Sequence, residues 1–105
     1  MKAVLDLKIS RIVKETSRVI RIELVSVDGS TLPLYQAGAH IELKLPNGLM
    51  RQYSLCRLPT TGMSYEIAVL KDLNSRGGSL LLHQMKVGDR LQASYPQNHF
   101  LMKTK

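Results

Sequence analysis

Apolar and polar residues alternate along most of the chain. Leu5, Leu7 and Ile9 are separated by Asp6 and Lys8, and Ile20, Ile22 and Leu24 by Arg21 and Glu23. That two-residue period marks a strand with one buried face, so these segments predict the first two strands. Lys14-Glu15-Thr16-Ser17 supplies a turn between them. Asp28-Gly29-Ser30 and the stretch from Pro33 to Gly38 make a longer irregular connection, after which residues 40–45 alternate again as a third strand. Pro46-Asn47-Gly48 is a hairpin signal, because Asn and Gly tolerate the positive φ angles of tight primed turns. It joins the third strand to a fourth over residues 49–55. Pro59 to Gly62 interrupts the chain before Tyr65-Glu66-Ile67-Ala68-Val69-Leu70, a fifth strand rich in β-formers. Residues 79–85 follow Arg76-Gly77-Gly78, and their leucines, without β-branched neighbours, predict one short helix. Val87-Gly88-Asp89 turns the chain into a last strand over residues 90–94.

Six short strands and a single late helix predict an all-β protein, a six-stranded antiparallel Greek-key β-barrel, since closure removes exposed strand edges. No repeat, low-complexity run or linker composition divides the 105 residues, so residues 1–105 are expected to form one domain. A chain of this length buries enough surface to fold without disulfides.

Charge narrows the partners without choosing one. The formal net charge is +7, which favours an anionic ligand, a phosphorylated cofactor or an acidic protein surface. The basic residues are dispersed, as in Lys8, Arg11, Lys14, Arg18 and Arg21, and aromatic content is 5%, so neither a basic tail nor a set of base-stacking platforms is present. A basic barrel that binds nucleic acid without catalysis remains the competing function class. The N-terminal residues lack the apolar core of a secretory signal and no segment has the length of a membrane span, so a cytoplasmic location away from membranes is expected. Cys56 is the only cysteine, which excludes an internal disulfide or a cysteine-ligated iron-sulfur centre in this chain. His40, His83 and His99 lack metal-ligand spacing.

Two constellations carry candidate chemistry. In Arg51-Gln52-Tyr53-Ser54-Leu55 an extended backbone sends Arg51 and Tyr53 to one face and Ser54 to the other. An arginine fork suits phosphate, a tyrosine covers a flat ring, and a serine hydroxyl both donates and accepts. The alternative is a solvated arginine, a core tyrosine and an incidental serine. In Ser75-Arg76-Gly77-Gly78-Ser79 the glycines and the helix start offer backbone amides to an anion, the alternative being an ordinary turn with Ser79 as helix cap. Cys56 is expected to be a buried packing residue, and Leu80, Leu81, Leu82 and Met85 the helix's core contact.

The order of these motifs resembles a known family. Ala37-Gly38-Ala39-His40-Ile41-Glu42-Leu43, Arg51-x-Tyr53-Ser54-Leu55-Cys56, Tyr65-x-Ile67-Ala68-Val69, Arg76-Gly77-Gly78-Ser79, Val87-Gly88-Asp89 and Pro96-x-Asn98-x-Phe100 are similar to the flavin domain of the ferredoxin-reductase superfamily. The branch is that of phthalate dioxygenase reductase and vanillate demethylase reductase. The resemblance implies that Arg51 contacts the flavin phosphate, that Tyr53 lies along the ring and ribityl chain, and that Ser54 sits near the reactive ring nitrogen N5, the one catalytic assignment. It implies backbone contacts to the flavin from Ile67, Ala68 and Val69, and a phosphate held by Arg76, Gly77, Gly78 and Ser79. FMN is the expected cofactor, with FAD as the alternative. Family enzymes use NAD(P)H and a 2Fe-2S cluster through a nicotinamide domain and a ferredoxin domain, and pass electrons to an oxygenase. Neither domain is present in these residues, so the chain alone is expected to bind flavin without turnover and to self-associate through the surface those domains would cover.

Overall fold

The computed structural model describes residues 4–36, 38–45, 48–56, 62–71 and 82–98, with backbone alone for Asn98. Its strands are β1 (Val4–Lys14), β2 (Val19–Ser26), β3 (Ala39–Lys44), β4 (Met50–Ser54), β5 (Ser64–Leu70), β6 (Arg90–Ser94) and β7 (Gln97–Asn98). Every pairing is antiparallel, and the ladder runs β4-β3-β6-β1-β2-β5, with β7 added beside β3. The chain forms the β1–β2 and β3–β4 hairpins locally and later returns to insert β6 between β1 and β3, which is the Greek-key crossing. The all-β expectation holds. The barrel is looser than expected: among the described residues no ladder joins the terminal strands β4 and β5, which are linked by the Leu55–Ile67 bridge beyond β4 and the bond from the Cys56 amide to the Glu66 carbonyl at 2.8 Å.

Alternation built these strands as the pattern required. Leu7 and Ile9 of β1, Ile20, Ile22 and Leu24 of β2, Ala39, Ile41 and Leu43 of β3, Tyr65, Ile67 and Val69 of β5, and Leu91 and Ala93 of β6 share one core. Each fully buried aliphatic side chain contributes about 1.5–3 kcal/mol. Tyr65 is the largest of them; its hydroxyl donates to the Pro33 carbonyl at 2.5 Å and its ring meets Tyr35 edge-on at 5.5 Å. A buried phenol needs such an acceptor, and this one also fixes the long irregular connection between β2 and β3.

Differences from the expected elements have local causes. β1 runs past Ile9 through a bulge between Ile9 and Arg11 in its pairing with β2, which continues to Lys14 after the pairing with β6 has ended at Lys8. Before the bulge it pairs with β6; at the bulge Ile9 bonds to the turn at Gly88 and Asp89, and Ser10 donates to the Glu23 carboxylate at 2.9 Å. β7 is too short, and follows too closely on Pro96, for any periodicity to announce it. Of the hairpin signal, Pro46 and Asn47 lie outside the described residues, while Gly48 has φ 88° and the Leu45 amide donates to the Leu49 carbonyl at 2.8 Å. Of the expected helix, Leu82 and His83 are helical, Leu82 is buried and Met85 packs on the core; residues 79–81, including Leu80 and Leu81, lie outside the described residues. No helix among the described residues is long and apolar enough to cross a membrane.

Candidate functional site

β4 departs from the rule the other strands obey. Arg51 lies opposite Leu43 and Tyr53 opposite Ile41, so both stand in the row that continues the core, yet neither is fully buried. Ser54 lies opposite His40 on the other face and is exposed. The expected division of the motif between two faces is therefore what the register produces. An arginine and a tyrosine where neighbouring strands place leucine and isoleucine leave the inward side of β4 polar at its margin.

The Arg51 guanidinium donates one hydrogen bond to the Met50 carbonyl at 2.9 Å, which holds the side chain back along its own strand. A guanidinium carries five N–H donors, so a fork remains for an anion. Tyr53 packs against the core, and burial pushes its phenol above the ordinary value, with the Arg51 charge pulling the other way. The phenol accordingly stays protonated at neutral pH, a ring face with a hydroxyl donor at its tip.

β5 brings the second motif to the same place. Ile67 and Val69 point into the core and Ala68 is exposed. The Lys71 amide donates to the Arg18 carbonyl of the β2 side at 2.6 Å; by alternation, the backbone groups of Ala68 and Leu70 face away from β2. Beyond the Leu55–Ile67 bridge no strand among the described residues pairs with that edge. An open β edge offers a row of amide and carbonyl groups to a planar polar ligand. The Val69 carbonyl is additionally joined by the His83 ring at 3.0 Å, a contact that no sequence pattern announced.

β4, carrying Arg51, Tyr53 and Ser54, and β5, carrying Ile67, Ala68 and Val69, approach each other where Leu55 bridges Ile67. Arg76, Gly77, Gly78 and Ser79 lie outside the described residues. One expectation is corrected here: Cys56 is exposed, because the chain leaves β4 at Leu55 and the Cys56 backbone, rather than its thiol, makes the closing bond to Glu66. Glu66 also stands 3.7 Å from Arg21, which pairs in turn with Glu15, so the outer surface beside the seam carries a small charged network. The seam presents backbone donors and acceptors on the open side of β5 and the partly buried ring of Tyr53 on β4.

No family model matches the chain. It is 43% identical over 102 residues to the vanillate O-demethylase oxidoreductase of Acinetobacter baylyi, covering 96% of this chain and 32% of that protein. Among solved structures it is similar to phthalate dioxygenase reductase, described as a modular structure for electron transfer from pyridine nucleotides to [2Fe-2S], with a TM-score of 0.86, 37% identity, and coverage of 91% of this chain and 30% of that one. It is also similar to the flavohaem-like FAD/NAD binding domain of nitric oxide dioxygenase from Vibrio cholerae, with a TM-score of 0.77, 27% identity, and coverage of 90% and 44%. The chain spans about a third of the length of the curated relatives it matches.

Proposed function

We propose that this chain, which belongs to the family of ferredoxin-reductase-type oxygenase reductases, binds a flavin at the β4–β5 seam and serves as the flavin domain of an NAD(P)H-dependent electron-transfer system. The observation that carries this is the convergence of Arg51, Tyr53 and Ser54 with Ile67, Ala68 and Val69 on one seam. A flavin in that seam would take a hydride from nicotinamide and release single electrons toward a 2Fe-2S centre and an oxygenase.

The residues divide the work by their chemistry. Arg51 supplies charge-assisted donors to the phosphate, the strong class of hydrogen bond. Tyr53 covers the ring and ribityl chain, its phenol kept neutral by burial. Ser54, exposed at the end of β4, would present its hydroxyl to the ring nitrogen N5, where a hydroxyl can donate or accept a hydrogen bond. Ala68 offers its backbone amide and carbonyl to the ring from the open edge, and Ile67 and Val69, bonded into the β2 ladder, hold that edge in place. Arg76, Gly77, Gly78 and Ser79 add amide donors to the phosphate. Nicotinamide, the iron-sulfur centre and the oxygenase act through parts of a longer protein, and this domain's contribution is binding and orientation.

Arg51, Tyr53 and Ser54 address the ribityl, ring and phosphate portions shared by FMN and FAD, so the proposal is made for a flavin. The resemblance in sequence favours FMN, whereas the Vibrio cholerae neighbour is described with FAD. Exposed Leu70 and Ala68 on the open edge also suit pairing with a second copy of the chain when nothing else covers them.

The test is reconstitution. The purified chain is mixed with FMN or FAD, separated from free flavin, and the retained cofactor identified by absorbance and mass. Saturable one-to-one retention is expected. Absence of flavin binding, together with retention on DNA that falls steeply with salt, would replace this reading with the nucleic-acid one.

A further inference from the structure

A second concave site lies at the far end of β5. Ile12 near the end of β1 and Ile20 at the start of β2 form an apolar floor, and Lys14, Ser17, Lys71, His83 and Gln84 stand around a cavity of about 590 Å³. Among the described residues its lining contains two lysines and a histidine and no carboxylate. Glu15, next in sequence to Lys14, is held by Arg21. The walls are fixed: the Lys71 amide is bonded to the Arg18 carbonyl at 2.6 Å, and the His83 Nε2 contacts the Val69 carbonyl at 3.0 Å, which assigns the proton to Nε2 and leaves Nδ1 as the ring's other polar atom. The cavity between β1, β3 and β6 differs, because there Asp6 answers Lys44 and Arg90 and accepts from Gln92 at 3.3 Å.

We infer that the Lys14–Lys71–His83 cavity binds a phosphorylated small molecule. Lys14 and Lys71 on one rim repel each other, and a multiply charged anion relieves that repulsion. Two ammonium groups serve as point charges for phosphate oxygens, while the Ser17 hydroxyl and Gln84 amide complete the donor set. A cavity of this volume lies in the small-molecule range, and Ile12 and Ile20 suit the uncharged remainder of such a ligand. The site shares no residue with Arg51, Tyr53 and Ser54, and the inference does not depend on flavin binding.

Inorganic pyrophosphate is the probe, titrated into the full chain while backbone amide resonances are followed by NMR, with sodium chloride at matched ionic strength as control. Saturable shifts at residues 12–20, 71 and 83–84 are expected. The double variant Lys14→Gln/Lys71→Gln should weaken binding by roughly tenfold or more, and Gln84→Glu, a surface change that adds a carboxylate, should do the same. Arg51→Ala should leave these shifts unchanged. Shifts reproduced by chloride, no saturation, or shifts abolished by Arg51→Ala and untouched by the lysine and Gln84 variants would each overturn the inference; the last would assign the anion to the candidate flavin seam.

Discussion

The Cys56 amide donates to the Glu66 carbonyl at 2.8 Å, and that bond ties the end of β4 to β5. The pair lies ten positions apart in number and joins opposite ends of the sheet order. β3 already holds this end through the Ser54–His40 pairing and the Leu55 amide on the Ala39 carbonyl at 3.0 Å, and the Cys56 bond adds the tie to β5. With it, the Ser54 end of the first motif is set against the Ile67–Val69 segment.

Replacing Arg51 with alanine should weaken FMN or FAD binding roughly tenfold to a hundredfold, the equivalent of one charge-assisted bond of about 1.5 to 3 kcal/mol. Arg51 is only partly buried and among the described residues its side chain bonds to the neighbouring Met50 carbonyl, so the fold should survive. Flavin titration with circular dichroism as the fold control measures this. Unchanged affinity in a folded variant would remove Arg51 from the site.

If this chain contributes flavin binding alone, as proposed, its bound flavin should not be reduced rapidly by NADH, since hydride transfer depends on a positioned nicotinamide. Stopped-flow bleaching of the flavin absorbance under anaerobic conditions is the measurement. Fast reduction that saturates with NADH would mean that the barrel itself recognises nicotinamide.

Asp28 provides a pH test of stability. The Ser26 hydroxyl, and then the Ser30 hydroxyl and amide, hold its carboxyl down from 3.8 to about 2. A depressed folded-state value contributes stability above the unfolded value, and that contribution is lost as pH falls from about 4 toward 2. Asp28→Asn should therefore lower the denaturation midpoint at pH 6 and make little difference near pH 2. A gap between the two proteins that is the same at both pH values would contradict the assignment.

Tyr65→Phe should cost about 1 to 2 kcal/mol in urea unfolding, because the Pro33 carbonyl loses its donor while the ring keeps its packing. Tyr35 retains an aromatic edge to meet, so the loss should reflect the hydroxyl. A change below the error of the measurement would mean that water replaces that bond at no cost.

Self-association should depend on the open edge of β5. Leu70 is 54% exposed there, and Leu70→Lys puts a charge on a strand edge, a device that discourages edge pairing. Light scattering across a concentration series should find the native chain heavier than a monomer at the top of the range and the variant monomeric. A native chain that stays monomeric throughout would dispose of the edge as an interface.

The sequence by itself determined the strands and their faces, because a two-residue alternation of apolar side chains can be buried in only one phase: Ile20, Ile22 and Leu24, or Ile41 and Leu43, had no other way to leave water. It also determined the contents of both motifs and the split of Arg51 and Tyr53 from Ser54, which follows from the pleat alone. Tertiary structure alone decided which edges meet. Insertion of β6 between β1 and β3 and the Cys56–Glu66 closure depend on pairings between distant segments, for which a local period holds no record. For the same reason Cys56 turned outward against expectation, since its exposure is set by where β4 stops. The cationic cavity of Lys14, Lys71 and His83 was equally illegible: its residues come from three separated segments, and only the folded sheet removes the distance between them.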